Sequence, residues 1–232
     1  MPLHLDSRPV GDVMVVQCDG RIVAGAEVHA LQLYLRRLLL QHHDVVLQLE
    51  RVDFVDSSGL GALVRLVSTA RTNGGDIRLC ALQQPVRRIL ELTKLISLFE
   101  VHDSEAEAII AAYLGSRYSK DDSGEQLRIL CVYDSVDVRT LLGEVLCRAG
   151  YKAVTAGNMH DAQILLKATK AKLIVLGANL QSVHGVPAKQ AIAAIDPAVS
   201  LVVLDEDFAA QNPGDAANKL LESIRSYAAQ TR

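Results

Sequence analysis

The chain has 232 residues, half of them apolar, and carries 24 Lys and Arg against 27 Asp and Glu, a formal net charge of −3. That near-neutral balance contains no basic block able to neutralise a phosphate backbone, which argues against nucleic acid as a direct partner. Tryptophan is absent and aromatics make up 4% of the chain, so platforms for stacking bases or sugars are poorly supplied.

In chain order, Val13 to Cys18 reads as a strand. Asp19-Gly20 turns the chain, and Val28, Leu31, Leu35, Leu38 and Leu39 then recur at helical spacing. Val45 to Leu49 is a second strand, Asp53 to Gly59 a break, and Leu60, Leu63, Val64 and Val67 mark a helix that stops near Asn73-Gly74-Gly75. Ile77 to Leu82 predicts a strand, Pro85 to Leu92 a short helix with proline in its first turn, Leu98 to Val101 a strand, and Ser104 to Leu114 a closing helix. The stretch 116–125, with Ser119-Lys120-Asp121-Asp122-Ser123-Gly124, is nearly free of apolar residues and reads as a linker. Beyond it alternation resumes. Strands are expected at Leu127 to Tyr133, Lys152 to Thr155, Leu173 to Gly177 and Leu201 to Leu204, with helices over Val136 to Ala149, His160 to Ala168, Pro187 to Ile195 and Ala216 to Ala229. The expected organisation is therefore α/β throughout: a mixed-sheet domain over 1–115, the linker, and a doubly wound parallel-sheet domain over 126–232.

The four cysteines, Cys18, Cys80, Cys131 and Cys147, lie far apart in apolar runs and are expected to act as small core hydrophobes, without a zinc or disulfide framework. The seven histidines show no metal-ligand spacing, and Gly59 and Gly61 lack the third glycine of a dinucleotide loop, so no cofactor is expected. Neither a leader segment nor a membrane span is visible, which leads to the expectation of a cytoplasmic protein without membrane contact.

The segment Asp53-Phe54-Val55-Asp56-Ser57-Ser58-Gly59-Leu60-Gly61 joins a strand to a helix, which puts Ser57 or Ser58 near the N-cap. A serine there accepts hydrogen bonds from orphan backbone N–H groups, and capping alone accounts for the residue types. The same N–H groups and the helix dipole would also suit an anion such as a phosphoryl group added at the turn.

Asp56-Ser57-Ser58-Gly59-Leu60-Gly61, the strand before it, the apolar helix and Gly74-Gly75 after it, and then Pro85-Val86-Arg87-Arg88-Ile89-Leu90-Glu91-Leu92 together resemble the STAS domain of anti-sigma-factor antagonists, over about the first 115 residues. The resemblance implies that Ser57, directly after the aspartate, is phosphorylated by an anti-sigma factor that is itself a serine kinase. Asp56, Ser58, Gly59 and Leu60 would then flank the partner-binding site. It further implies that the unphosphorylated form binds the anti-sigma factor, the phosphorylated form releases it, and a separate phosphatase resets it; the protein is then a substrate and binder, not an enzyme. Two departures stand out: Arg21-Ile22-Val23 after Gly20, where such antagonists usually carry an acidic residue and an aspartate, and Lys94, where glycine is usual. A STAS domain of this kind is also compatible with a stressosome-like scaffold that works without phosphorylation.

From Leu127 onward the chain resembles a response-regulator receiver, with Leu130-Cys131-Val132-Tyr133-Asp134 at its first strand and Gly150-Tyr151 before its second. A working receiver needs an acidic cluster for a divalent metal and an aspartate at the end of its third strand; here the cluster is reduced to Asp134, and the third strand ends in Gly177. Asp205 stands where a hydroxyl residue is usual. The resemblance thus implies a pseudo-receiver without a phospho-acceptor, and, because receivers often pair through a late-chain face, it is compatible with a homodimer.

Overall fold

The computed structural model describes residues 2–115, 127–178, 180, 187–205, 207–210 and 213–230. The chain divides into two compact units, Met1–Ser119 and Lys120–Arg232. The stretch 116–125, expected as a linker, lies outside the described residues.

The first unit is a five-stranded sheet in the order β1-β2-β3-β4-β5, formed by β1 His4–Val10, β2 Val13–Ile22, β3 Asp44–Val55, β4 Asp76–Cys80 and β5 Glu100–His102. β1 pairs antiparallel with β2, from Val10 opposite Val13 to His4 opposite Asp19, and the remaining pairs are parallel. Each parallel crossover carries helical structure: α1 Ala26–Leu38, α2 Ser57–Thr72, and α3 Gln84–Leu92 with a 3₁₀ turn at Ile96–Leu98; α4 Glu105–Gly115 follows β5. Side chains alternate across a strand, and here both sets are buried. Val45, Leu47, Leu49, Ile77 and Leu79 join Leu31, Leu35, Leu63, Leu66 and Leu90 from α1, α2 and α3 in one core. On the other face α4 packs against β3, β4 and β5, burying Ala108, Ile109, Ala112 and Tyr113. Under it lies a buried ion pair: Arg78 Nη1 sits 3.0 Å from Asp44 Oδ1, and Arg78 Nε sits 2.9 Å from Glu100 Oε2.

Sequence patterning misses β1 altogether, because Pro9 and a mixed polar run mask its period. Its partner supplies the order, closing onto it through Gly11 at φ 59°. Lys94, where glycine is usual in the resembled family, takes φ 58°; a side chain in this left-handed region costs roughly 1–2 kcal/mol.

The second unit is an all-parallel sheet in the order β7-β6-β8-β9, from β6 Arg128–Val132, β7 Lys152–Ala156, β8 Leu173–Gly177 and β9 Ser200–Leu204. Its helices are α5 Val136–Arg148, α6 Met159–Thr169, α7 Ala188–Ala193 and α8 Pro213–Gln230. One sheet face packs on α5 and α8 through Ile129, Cys131, Val175, Leu142, Leu146, Leu220 and Ile224. This is the strand order with which a flavodoxin-like sheet begins. Three cysteines are buried as expected, and burial pushes the thiols of Cys18, Cys80 and Cys131 up to about 12. Cys147 is exposed instead. The inward row of α5 is Val138, Leu142 and Leu146, and the next residue rotates about 100° away from it.

Candidate functional site

β2 and β3 run parallel, so their C-terminal ends share one edge of the sheet, and each strand leaves that edge into a helix. The expected break over Asp53 to Gly59 is much shorter in the structure. β3 continues to Val55 and α2 begins at Ser57, leaving Asp56 as the single residue between them.

Asp56, not a serine, is the N-cap, with extended backbone at φ −87° and ψ 179°. Its carboxylate spans two turns: Oδ1 accepts from Gly59 N–H at 2.7 Å in its own turn, and Oδ2 accepts from Ala24 N–H at 2.8 Å in the turn after β2. Its own N–H donates to Ile22 O at 3.1 Å. The Ala24 amide first, then those of Gly59 and Ser58, hold the carboxyl below the usual carboxylate range, against a smaller opposing effect of desolvation. A carboxyl whose folded value lies below its unfolded 3.8 contributes stability that is complete above about pH 4 and lost as pH falls through the folded value. Asp56→Asn is therefore expected to lower the melting temperature at pH 7, with a narrower gap to the parent chain at a pH below 3.8. Circular dichroism melts at both pH values check this, and an equal gap at both would exclude the ionised carboxylate as its source.

Ser57 and Ser58 are the first two helical residues, and both are exposed. The capping role expected of them belongs to Asp56. Of the N–H groups expected to receive an anion, that of Gly59 is engaged by the Asp56 carboxylate and that of Leu60 by the Asp56 carbonyl. Gly59 and Leu60 are buried, so their part in any docking is to shape the turn rather than to touch a partner. A Cβ on Gly59 would sit 2.3 Å from Ile22 O and 2.8 Å from Val55 Cγ1, which is why glycine occupies the closest approach of α2 to β2.

The exposed neighbours of this turn include a pair that patterning does not reveal. Arg21 and Phe54 are register partners at the ends of β2 and β3, and the Arg21 Cζ lies 4.8 Å from the centroid of the half-exposed Phe54 ring. Such a cation–π contact is worth roughly 0.5–1 kcal/mol at an exposed site. Two register shifts in the β2–β3 ladder, between Gln17 and Asp19 and between Gly20 and Arg21, set this pairing; a strictly alternating strand would not have brought it about.

In the second unit, β6 and β8 flank the point where strand order reverses, the usual ligand crevice of such sheets. Here it is filled from within. The ring of Tyr133, at the end of β6, stands 2.8 Å from where a Cβ on Gly177 would lie. Arg139 Nη1 donates to the carbonyls of Tyr133 at 2.7 Å and Asp134 at 2.9 Å. Asp134 and Asp205 are both exposed, and the Asp134 carboxylate accepts from Ser135 N–H at 2.8 Å. Among the described residues no cluster of His, Cys, Asp or Glu is arranged to hold a metal ion. Among them, too, no helix is long and apolar enough to cross a membrane.

A mixed sheet with an aspartate-capped turn between a central parallel strand and its helix is the architecture of a STAS domain. Residues 4–108 match the STAS domain family, and the chain belongs to that family. It is 31% identical over 103 residues to BtrV of Bordetella bronchiseptica, which carries the name of an anti-sigma factor antagonist; the match covers 44% of this chain and 88% of that protein. The anti-sigma F factor antagonist of Paenibacillus polymyxa is 32% identical over 69 residues, covering 30% of this chain and 59% of the relative's length. The crystal structure of an anti-sigma factor antagonist from Mycobacterium paratuberculosis aligns with a TM-score of 0.44 at 22% identity, over 47% of this chain and 93% of that one. The second unit, with its all-parallel sheet, is compatible with a receiver-like fusion.

Proposed function

We propose that this chain is an anti-sigma-factor antagonist whose first unit is a phosphorylation-controlled binding switch. Unphosphorylated, it sequesters an anti-sigma factor with serine kinase activity in the cytoplasm. The kinase transfers the γ-phosphoryl group of ATP to Ser57 Oγ; the hydroxyl proton leaves, ADP departs, and the modified surface lets go. A phosphatase restores the hydroxyl by hydrolysis. The chain itself is substrate and binder rather than catalyst, and the second unit serves regulation or docking.

The observation that carries this reading is the position of Ser57: exposed, first in α2, and immediately after a cap that fixes the backbone on both sides of it. The names of the relatives supply the partner class. Modification adds roughly 1.5–2 negative charges beside a carboxylate that is already ionised, which makes the docking face strongly anionic without disturbing the core.

Intact-mass measurement after incubation with ATP and the anti-sigma kinases of the source organism tests the reading. One added phosphoryl group is expected, absent from Ser57→Ala. Complex formation with no mass change would replace the switch with the scaffold reading. Arg21 is the observation that favours that alternative, because it puts a cation where antagonists of the phosphorylated type usually carry an acid. A scaffold would also keep its partner when Ser57→Asp is introduced.

A further inference from the structure

A phosphoryl group on Ser57 would enter a turn where the Asp56 carboxylate already takes the N–H groups of Ala24 and Gly59 and the Asp56 carbonyl takes that of Leu60. Its counter-charge must come from a side chain. Ser57, Gly61 and Arg65 form one i, i+4, i+8 row along α2, and side chains on a helix lean toward its N-terminus. Arg65 does so here: its Nη1 lies 3.3 Å, and its Cζ 3.9 Å, from the point where a Cβ on Gly61 would stand. The missing side chain of Gly61 is thus a notch through which the guanidinium reaches back over one of the two turns that separate Arg65 from Ser57. Arg65 is exposed, and no carboxylate among the described residues forms an ion pair with it. Of the other cations at this edge, Arg51 is paired with Asp19 at 3.6 Å and Arg21 is stacked on Phe54.

We infer that Arg65, lying in the Gly61 notch, is the cation that receives the phosphoryl group of modified Ser57. A guanidinium offers paired donors matched to phosphate oxygens. The arginine reaches up along α2 and partly neutralises the phosphoryl group, while Arg21 and Phe54 keep their contact at the ends of the strands. This inference rests on Ser57 being the acceptor, and it names the residue that makes the phosphorylated state a defined conformation.

The test uses the full chain with phosphoserine incorporated at position 57 during translation, followed by ³¹P NMR over a pH titration. Phosphate monoesters of serine lose their second proton near pH 6. A neighbouring guanidinium favours the dianion, so the midpoint is expected about 0.5 unit lower in the parent chain than in Arg65→Gln, roughly a threefold change in proton affinity. Arg65→Lys should restore part of the shift, and Arg21→Gln should leave it unchanged. Coincident titrations of the parent chain and Arg65→Gln overturn the inference, as does a shift that follows Arg21 instead. Because the phosphoserine is installed rather than transferred, failure of every kinase to modify Ser57 would count against the switch alone, and coincident titrations against Arg65 alone.

Discussion

Gly59→Ala is expected to destabilise the first unit by about 3 kcal/mol, near the top of the usual cost of forcing extra volume into a packed site. The added methyl would stand 2.3 Å from Ile22 O, a backbone atom that cannot swing aside, and 2.8 Å from Val55 Cγ1. Relief requires α2 to lift away from the ends of β2 and β3. That movement strains the Asp56 N–H to Ile22 O bond and the Gly59 N–H to Asp56 Oδ1 bond together. At roughly 4 °C per kcal/mol for a domain of about this size, the melting temperature should fall by about 12 °C. Gly61→Ala is the control: its methyl would meet the Arg65 side chain, which can rotate, and a helical glycine replaced by alanine typically gains roughly 0.5–1 kcal/mol. Differential scanning calorimetry separates the cases, and a Gly59→Ala chain melting within about 2 °C of the parent would show that the turn yields at little cost.

Arg78→Met is expected to cost about 3–5 kcal/mol, the penalty for removing one member of a buried ion pair. The Arg78 and Asp44 side chains are 5% and 8% exposed, so neither water nor rearrangement readily replaces the lost guanidinium beside Asp44. Glu100, 41% exposed, is the outer member and can turn to solvent. The double variant Asp44→Leu, Arg78→Met should recover most of the loss, since an apolar pair of similar volume removes the desolvation cost along with the attraction. Urea unfolding of the two single variants and the double variant closes the cycle. Additive losses would mean that the two side chains do not act as a pair.

The order of strands and helices was legible because most elements carry a clean period. Leu60, Leu63 and Val67 point inward along α2 as their spacing requires, and Asn73-Gly74 ends that helix as its residue types suggest. The turn was legible as a place but not as a mechanism. Two serines after an aspartate are all plausible caps, and what selects Asp56 is a second donor, Ala24 N–H, that comes from 32 residues earlier in the chain. No local pattern encodes that contact. The extension of β3 through Val55 was hidden for a related reason: its outer half carries Glu50 and Arg51, then Asp53 and Phe54, exposed between buried Leu49, Val52 and Val55, a rhythm set by register shifts in the neighbouring ladder. The role proposed for Arg65 was invisible because it depends on the empty space at Gly61.

The packing of Tyr133 on Gly177 bears on how this chain can change over generations. A Cβ on any side chain at position 177 would stand 2.8 Å from the Tyr133 ring, inside van der Waals contact. A side chain there is accommodated only if the Tyr133 ring moves or is replaced, and Tyr133→Ala alone would leave a void in the core. The two positions are epistatic, each unfavourable to alter first, so a lineage that acquires this pair is held in it by packing even where selection no longer requires it.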